Sequence, residues 1–342
     1  IHIGGLPMTD KLRNIEIGKN TSLERGNLNS IDLHCDTLLR LHFAGENASL
    51  AKNEFHIDLQ KLRAGGIDTQ VFAVFVPPRV DSPLQLCLEM IDRFYCEIDN
   101  NSKHISFAGN VQDIENNRRS GKISAMLALE DSGIIGSSLP NLRLLHRLGV
   151  RIVTLTWNNR NPAGSPNIDA ESSAEGLTER GFEFVEEMIR LGMLVDVSHL
   201  SDTGFWDVSR TVSGPFIASH SNARSITNHH RNLTDDMIRS VAEHGGVIGV
   251  NFYGQFLTEG NPKEADIEDV LRHVNHLVNV GGIDCVALGS DFDGMDAPPI
   301  GLENSSRLPS LFEELEKAGY KHSEIEKISC NNAYRVIKEV CS

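Results

Sequence analysis

His34 and Asp36, in the segment "IDLHCDTLL" (31–39), place an imidazole and a carboxylate two residues apart where a short apolar run ends. On a strand, residues i and i+2 point to one face, so these two side chains would converge. Convergent His and Asp suit a divalent metal ion. The same residue types recur, each just past another short apolar run: Glu130 in "ALEDS", His199 in "DVSHL", His220 in "ASHSN" and Asp291 in "GSDFDG". Imidazole mixed with carboxylate favours zinc or a similar borderline ion. A carboxylate such as Glu130 can bridge two cations through its two oxygens, and two metals about 3.5–4 Å apart hold and activate a water between them. Asp291 could shuttle the proton, first as general base and then as acid.

Each residue also has an ordinary explanation. A histidine past a strand is commonly a loop or capping residue, and Glu130-Asp131 could be an acidic pair at a helix N-terminus. Recurrence at successive strand ends is what favours a shared site. Other polar residues read as structural. Asp196 lies within a strand and reads as a paired interior carboxylate. His56 and Asp58 open the helical stretch "HIDLQKLRAGG". His229 and His230 lie in a polar loop, and His146, His273 and His276 fall in helical patterns.

The elements that would position these residues alternate. Eight apolar runs read as buried strands: 30–34, 69–76, 123–129, 151–156, 194–198, 215–219, 246–252 and 285–290. Helical stretches follow them. Thr234 precedes "DDMIRSVAEHGG", with acid in the first turn and glycine at the stop; "GLTERGFEFVEEMIRLG" ends at Gly192 and "DIEDVLRHVNHLVNVGG" at Gly281. Eight strand–helix units predict an α/β fold, a (β/α)8 TIM-type barrel. All carboxyl ends of such a barrel open onto one face, so positions 34 to 291 could share one cavity. The rival is a doubly wound open sheet, but no G-x-G-x-x-G follows the first strand.

The chain has 342 residues, 40% of them hydrophobic, enough for a large core. A formal charge of −15 argues against nucleic acid or an anionic membrane as partner. No run reaches the ~18–20 apolar residues of a membrane helix. Residues 1–28 read as a polar lead-in without a signal-peptide pattern, with Met8 a candidate start, and 29–342 as a single barrel domain. Six cysteines, at 35, 87, 96, 285, 330 and 341, show no paired spacing and read as free thiols in a reducing, cytoplasmic setting.

Together "DLHCDTL", "ALEDS", "LVDVSHLSD", "ASHSNAR", "HHRNLTDD" and "LGSDFDG" resemble the membrane (renal-type) dipeptidase family, peptidase family M19. The likeness runs from about residue 30 to the end of the chain. It implies a (β/α)8 barrel with two zinc ions: His34 and Asp36 on one, His199 and His220 on the other, and Glu130 bridging. Asp291 matches the family's proton-transfer residue. Arg231 matches the arginine that grips the substrate's terminal carboxylate, a bidentate pairing that would restrict the enzyme to short peptides with a free C-terminus. The implied reaction is hydrolysis of a dipeptide by a metal-bridging hydroxide, and L-Xaa-D-Xaa substrates fit the family's tolerance of a D-residue. Barrel dimers are common, so a homodimer is an open expectation, although no interface signature is visible.

Two departures stand out. Many members carry histidine where this chain has Trp157, in "LTWNNRN". An indole N–H donates one hydrogen bond but cannot titrate near neutrality. Loss of an oxyanion donor can cost on the order of 10²–10³ in turnover unless Trp157, Asn158 or Asn159 compensates. Trp157 and Asn158, with Arg231 and Tyr253, are the substrate-side candidates. The cysteines of secreted members are also not matched, and no lipid-anchor tail follows, as in a soluble, bacterial-type member. Two other readings stay open. One is another barrel metallohydrolase acting on a lactam, lactone or amidine; its usual His-x-His is here His-x-Asp, and no lysine lies between 123 and 260. The other is a non-catalytic homologue that keeps the metal site, motivated by Trp157.

Overall fold

In the computed structural model, residues 28–136, 138–168 and 170–341 are described. The lead-in expected at 1–28 lies, but for Leu28, outside them. Nine parallel strands form one sheet: β1 (Ser30–Asp32), β2 (Ile67–Phe75), β3 (Ile105–Phe107), β4 (Ile123–Glu130), β5 (Val150–Thr154), β6 (Leu194–Asp196), β7 (Ile217–Ala218), β8 (Val247–Val250) and β9 (Val286–Leu288). The order β2-β1-β9-β8-β7-β6-β5-β4 closes on itself because β2 also pairs with β4, from Thr69 opposite Ser124 to Phe75 opposite Glu130. The fold is therefore a closed eight-strand (β/α)8 barrel. β3 lies outside the ring. It pairs with Ile123–Ala125, the start of the β4 edge that β5 takes over from Leu127 onward.

Alternation along the strands separates two cores. One face of each strand packs outward on the helices: Phe72, Leu127, Leu129, Val153, Val195 and Ile248 all lie in the larger cluster. The other face points into the barrel, where Val71, Met126, Ile152, Leu194, Ile217 and Val247 form a second cluster. Ala333, Val336 and Ile337 of the C-terminal helix Asn332–Val340 join this inner cluster. That helix crosses the amino-terminal end of the barrel. Asn332 Nδ2 donates to the carbonyls of Ile283 and Val286, 2.7 and 2.8 Å away. The opposite, carboxyl-terminal mouth stays free for chemistry.

Helix signals act where the sequence places them. Thr234 caps Asp235–Glu243 by accepting from Met237 N–H, and Gly192 ends Glu179–Leu191 in the left-handed region at φ 68°. Asp58 caps Leu59–Gly65 by accepting from Lys61 N–H. No helix among the described residues is long and apolar enough to cross a membrane.

Between the strands the packing leaves no room for a side chain at Gly249 of β8. A Cβ there would lie 2.0 Å from the carbonyl oxygen of Ser219. Gly249→Ala should lower the unfolding free energy by on the order of 1–3 kcal/mol in urea titration; wild-type stability would contradict this crowding.

Candidate metal centre and active site

Stepping two residues along the inward face from the apolar layer changes the chemistry of the barrel interior. Ile152 is followed by Thr154, Leu194 by Asp196, Ile217 by Ser219, and Ala128 by Glu130. Asp196 is fully buried and accepts from Thr154 Oγ1 at 2.6 Å, Ser219 Oγ at 2.5 Å, and the backbone N–H groups of Ser198 and Ser219 at 3.0 and 2.8 Å. It is thus an interior carboxylate satisfied by hydrogen bonds rather than by an ion pair. Across the barrel Asp32 does the same for Ser290, taking its N–H at 2.8 Å and its hydroxyl at 2.6 Å. These two carboxylates tie the ends of β5, β6 and β7, and of β1 and β9, into one rigid rim.

The six chemistry-bearing residues stand on that rim, and all are buried. β1 stops at Asp32, so His34 and Asp36 lie beyond the strand rather than on it. Their convergence survives because the segment stays clamped between neighbours: Cys35 forms a parallel bridge with Phe292 and its carbonyl accepts from Ala73 N–H at 2.9 Å. His34 Nε2 lies 3.5 Å from Asp36 Oδ2 and 3.6 Å from Glu130 Oε2. The other oxygen of Glu130, Oε1, lies 3.2 Å from His199 Nε2 and 3.7 Å from His220 Nε2. Asp291 groups with His34 and His220, and its Oδ2 accepts from Asn251 Nδ2 at 2.9 Å. His199 and Asp291 sit at φ 67° and 63°, in the left-handed region that L-residues other than Asn and Asp avoid. Such backbone costs about 1–3 kcal/mol per residue and persists where the surroundings impose it.

The donor set fits cations. His220 Nδ1 lies 2.8 Å from Ser219 Oγ, whose hydrogen goes to Asp196, and His199 Nδ1 lies 2.9 Å from Asn158 Oδ1. Both neutral rings therefore carry their proton on Nδ1. Their Nε2 lone pairs then face each other across 3.0 Å. Facing lone pairs repel, yet the spacing is near that of two ligands each about 2.0–2.1 Å from one zinc ion. On the other side, His34 Nε2 and Asp36 Oδ1 are buried without a hydrogen bond. Two ligand groups result, His34–Asp36–Glu130 and Glu130–His199–His220, sharing the glutamate.

Electrostatics agree. Burial holds His199 and His220 well below the ordinary histidine value, so both are neutral and able to coordinate. Burial pushes Glu130 up to about 7, with the charge of Asp36 adding to it, and Asp291 up to about 6. Burial opposes a charge on His34, but Glu130 and Asp36 outweigh it and raise its pKa well above the usual value. Acids crowded in this way call for positive charge between them.

The remaining candidates surround this centre. Trp157, half-buried, packs on Phe75 with ring centroids 4.8 Å apart and stands 6.2 Å from the His199 ring. Asn158 has its side-chain carbonyl on His199, as given above. Arg231 is buried beside Phe256, donates to the carbonyl of His220 at 3.3 Å and keeps an unpartnered Nε; burial lowers its pKa to about 10. Tyr253 packs edge-on against Phe256, and burial, with the Asp296 carboxylate adding to it, pushes its pKa up to about 12. His229 is half-buried against Phe256 and His230, whereas His230 is exposed.

Sequence reasoning missed the supports. His56 braces the loop that carries Asp291: its N–H donates to Asp293 Oδ1 at 2.7 Å, and its Nδ1 accepts from Asp293 N–H at 3.0 Å. Thr37 Oγ1 bonds Asp293 Oδ2 at 2.6 Å. Asn251 had a legible signal, since it lies two residues beyond Gly249 on the inward face of the β8 run.

A closed parallel barrel with buried imidazoles and carboxylates gathered at its mouth defines a metal-dependent hydrolase. Comparison narrows this. The chain belongs to the membrane dipeptidase family, peptidase family M19, whose profile matches residues 25–342. An uncharacterised dipeptidase of Schizosaccharomyces pombe is 35% identical over 334 residues, which covers 90% of this chain and 80% of the relative. The crystal structure of dipeptidase AC, an M19 metallopeptidase, superposes with TM-score 0.86 at 30% identity, over 92% of this chain and 99% of that one. A metallopeptidase from Rhodobacter sphaeroides, solved with a phosphinate mimic of the dipeptide L-Ala-D-Ala, gives TM-score 0.86 at 28% identity, over 92% and 100%. The chain is accordingly a hydrolase of the dipeptidase class, and its family implies a metal cofactor.

Gly294 shows how closely the centre is fitted: a Cβ there would lie 2.2 Å from Asp36 Oδ2 and 2.5 Å from Asp291 Oδ1. Gly294→Ala should leave the circular dichroism spectrum intact while dipeptide hydrolysis falls by on the order of 10²-fold, the cost of displacing reacting groups by about 1 Å. Unchanged turnover would show that these carboxylates need no such placement.

Proposed function

We propose that this chain is a dizinc dipeptidase, with His34 and Asp36 on one ion, His199 and His220 on the other, and Glu130 bridging. The observation that carries the reading is the division of Glu130, one oxygen toward His34 and the other toward the His199–His220 pair. The ions, when bound, supply Lewis-acid stabilisation of the developing oxyanion and a water ionised near neutral pH.

This chain's residues do the rest. Asp291, oriented by Asn251, accepts the proton of the attacking water and passes it to the leaving amine. Arg231, with donors to spare, pairs with the terminal carboxylate of the substrate, which sets the length at two residues. Trp157 and Phe75 make one aromatic wall beside His199; Tyr253 closes the side nearer Asp291. Trp157 can offer its indole N–H to the oxyanion, but no proton transfer. The Rhodobacter sphaeroides relative, with its L-Ala-D-Ala mimic, supports L-Xaa-D-Xaa dipeptides as substrates. All six cysteines are free, five of them buried, which supports a reducing compartment such as the cytoplasm.

Purified protein should hold two zinc ions per chain by elemental analysis and release amino acids from an L,L and L,D dipeptide panel. Asp291→Asn should lower kcat by on the order of 10²–10⁴-fold. A zinc-loaded protein inactive on the whole panel would overturn the proposal.

A further inference from the structure

The two histidines that share Glu130 Oε1 are held from behind by different chemistry. His220 Nδ1 leans on Ser219 Oγ, and Ser219 passes its own hydrogen to the buried carboxylate of Asp196 at 2.5 Å. His199 Nδ1 meets only an amide, the Oδ1 of Asn158 at 2.9 Å. The residue preceding Asn158 is Trp157, whose ring leans over His199, so two consecutive residues past β5 fix the ring from the side and from behind.

An amide oxygen accepts a hydrogen bond and carries no charge. It selects the Nδ1–H form and turns the Nε2 lone pair toward Glu130 and His220. It adds less basicity to the imidazole than a carboxylate, or a hydroxyl backed by one, would add.

We infer that Asn158 is a positioning residue for His199: its side-chain carbonyl sets the tautomer and aim of that ligand, so that removing it loosens the ion on the His199–His220 side. This rests on the metal assignment proposed above.

The experiment is zinc titration against a chromogenic chelator on wild-type protein, Asn158→Leu and Asn158→Asp, with dipeptide kinetics and histidine ¹⁵N NMR on the same samples. Wild type should show two affinities. Asn158→Leu should weaken one of them by about 10–100-fold, leave the other in place and scramble the tautomer signal of one histidine. Asn158→Asp, which keeps the acceptor and adds charge, should restore the tautomer and bind the second ion at least as tightly as wild type. Native affinity for both ions in Asn158→Leu would overturn the inference, including the case where only KM rises, as a substrate contact would give. Equal losses in Leu and Asp variants would overturn it too. A wild-type protein that takes up no zinc would instead remove the metal reading itself.

Discussion

Glu130 has to serve two neighbourhoods with one carboxylate. Its oxygens point to opposite sides, at His34 and at the His199–His220 pair, and the side chain is almost fully buried. Burying a charged carboxylate costs several kcal/mol unless something compensates it. Here the neighbours within reach are a second carboxylate, Asp36, and imidazoles whose lone pairs face inward. Such a cluster calls for positive charge among its members. The rest of the molecule serves to hold this arrangement in place.

The barrel achieves that in layers. Apolar side chains fill the amino-terminal half and are sealed by the C-terminal helix. Above them Asp196 and Asp32 gather hydroxyls and backbone N–H groups from several strands, which fixes the strand ends before any ligand is placed. The candidate metal-binding residues lie at those ends or within a few residues of them. Two of the groups at the mouth adopt left-handed backbone, a cost the rim can bear because its strands are so firmly tied. The loop after β9 is tied down a second time, through Asp293 to His56 and Thr37.

Much of this was legible in the sequence. All eight barrel strands announce themselves as short β-branched, apolar runs, since strands buried on both faces need little polar alternation. The candidate site residues are visible because each closes or follows such a run. β3 was not visible: "ISF" is three residues long, pairs along one edge, and sits in a polar stretch without a run of its own. The strand logic applied to His34 and Asp36 gave the right convergence by a different route, since β1 ends at Asp32 and bridges to neighbouring segments carry the chain onward. His56 reads as structural from sequence, yet its contact with Asp293 joins positions too far apart in the chain for any local pattern to reveal. The same holds for Asn158 and His199. Side-chain pairings across the mouth depend on loop paths, and loop paths leave no periodic trace.

The most direct test of the Glu130-centred arrangement is anomalous diffraction at the zinc edge from crystals grown with the metal. Two peaks are expected, about 3.5–4 Å apart, one beside His34 and Asp36, the other beside His199 and His220, with Glu130 between them. A single peak, or peaks that do not touch Glu130, would contradict it.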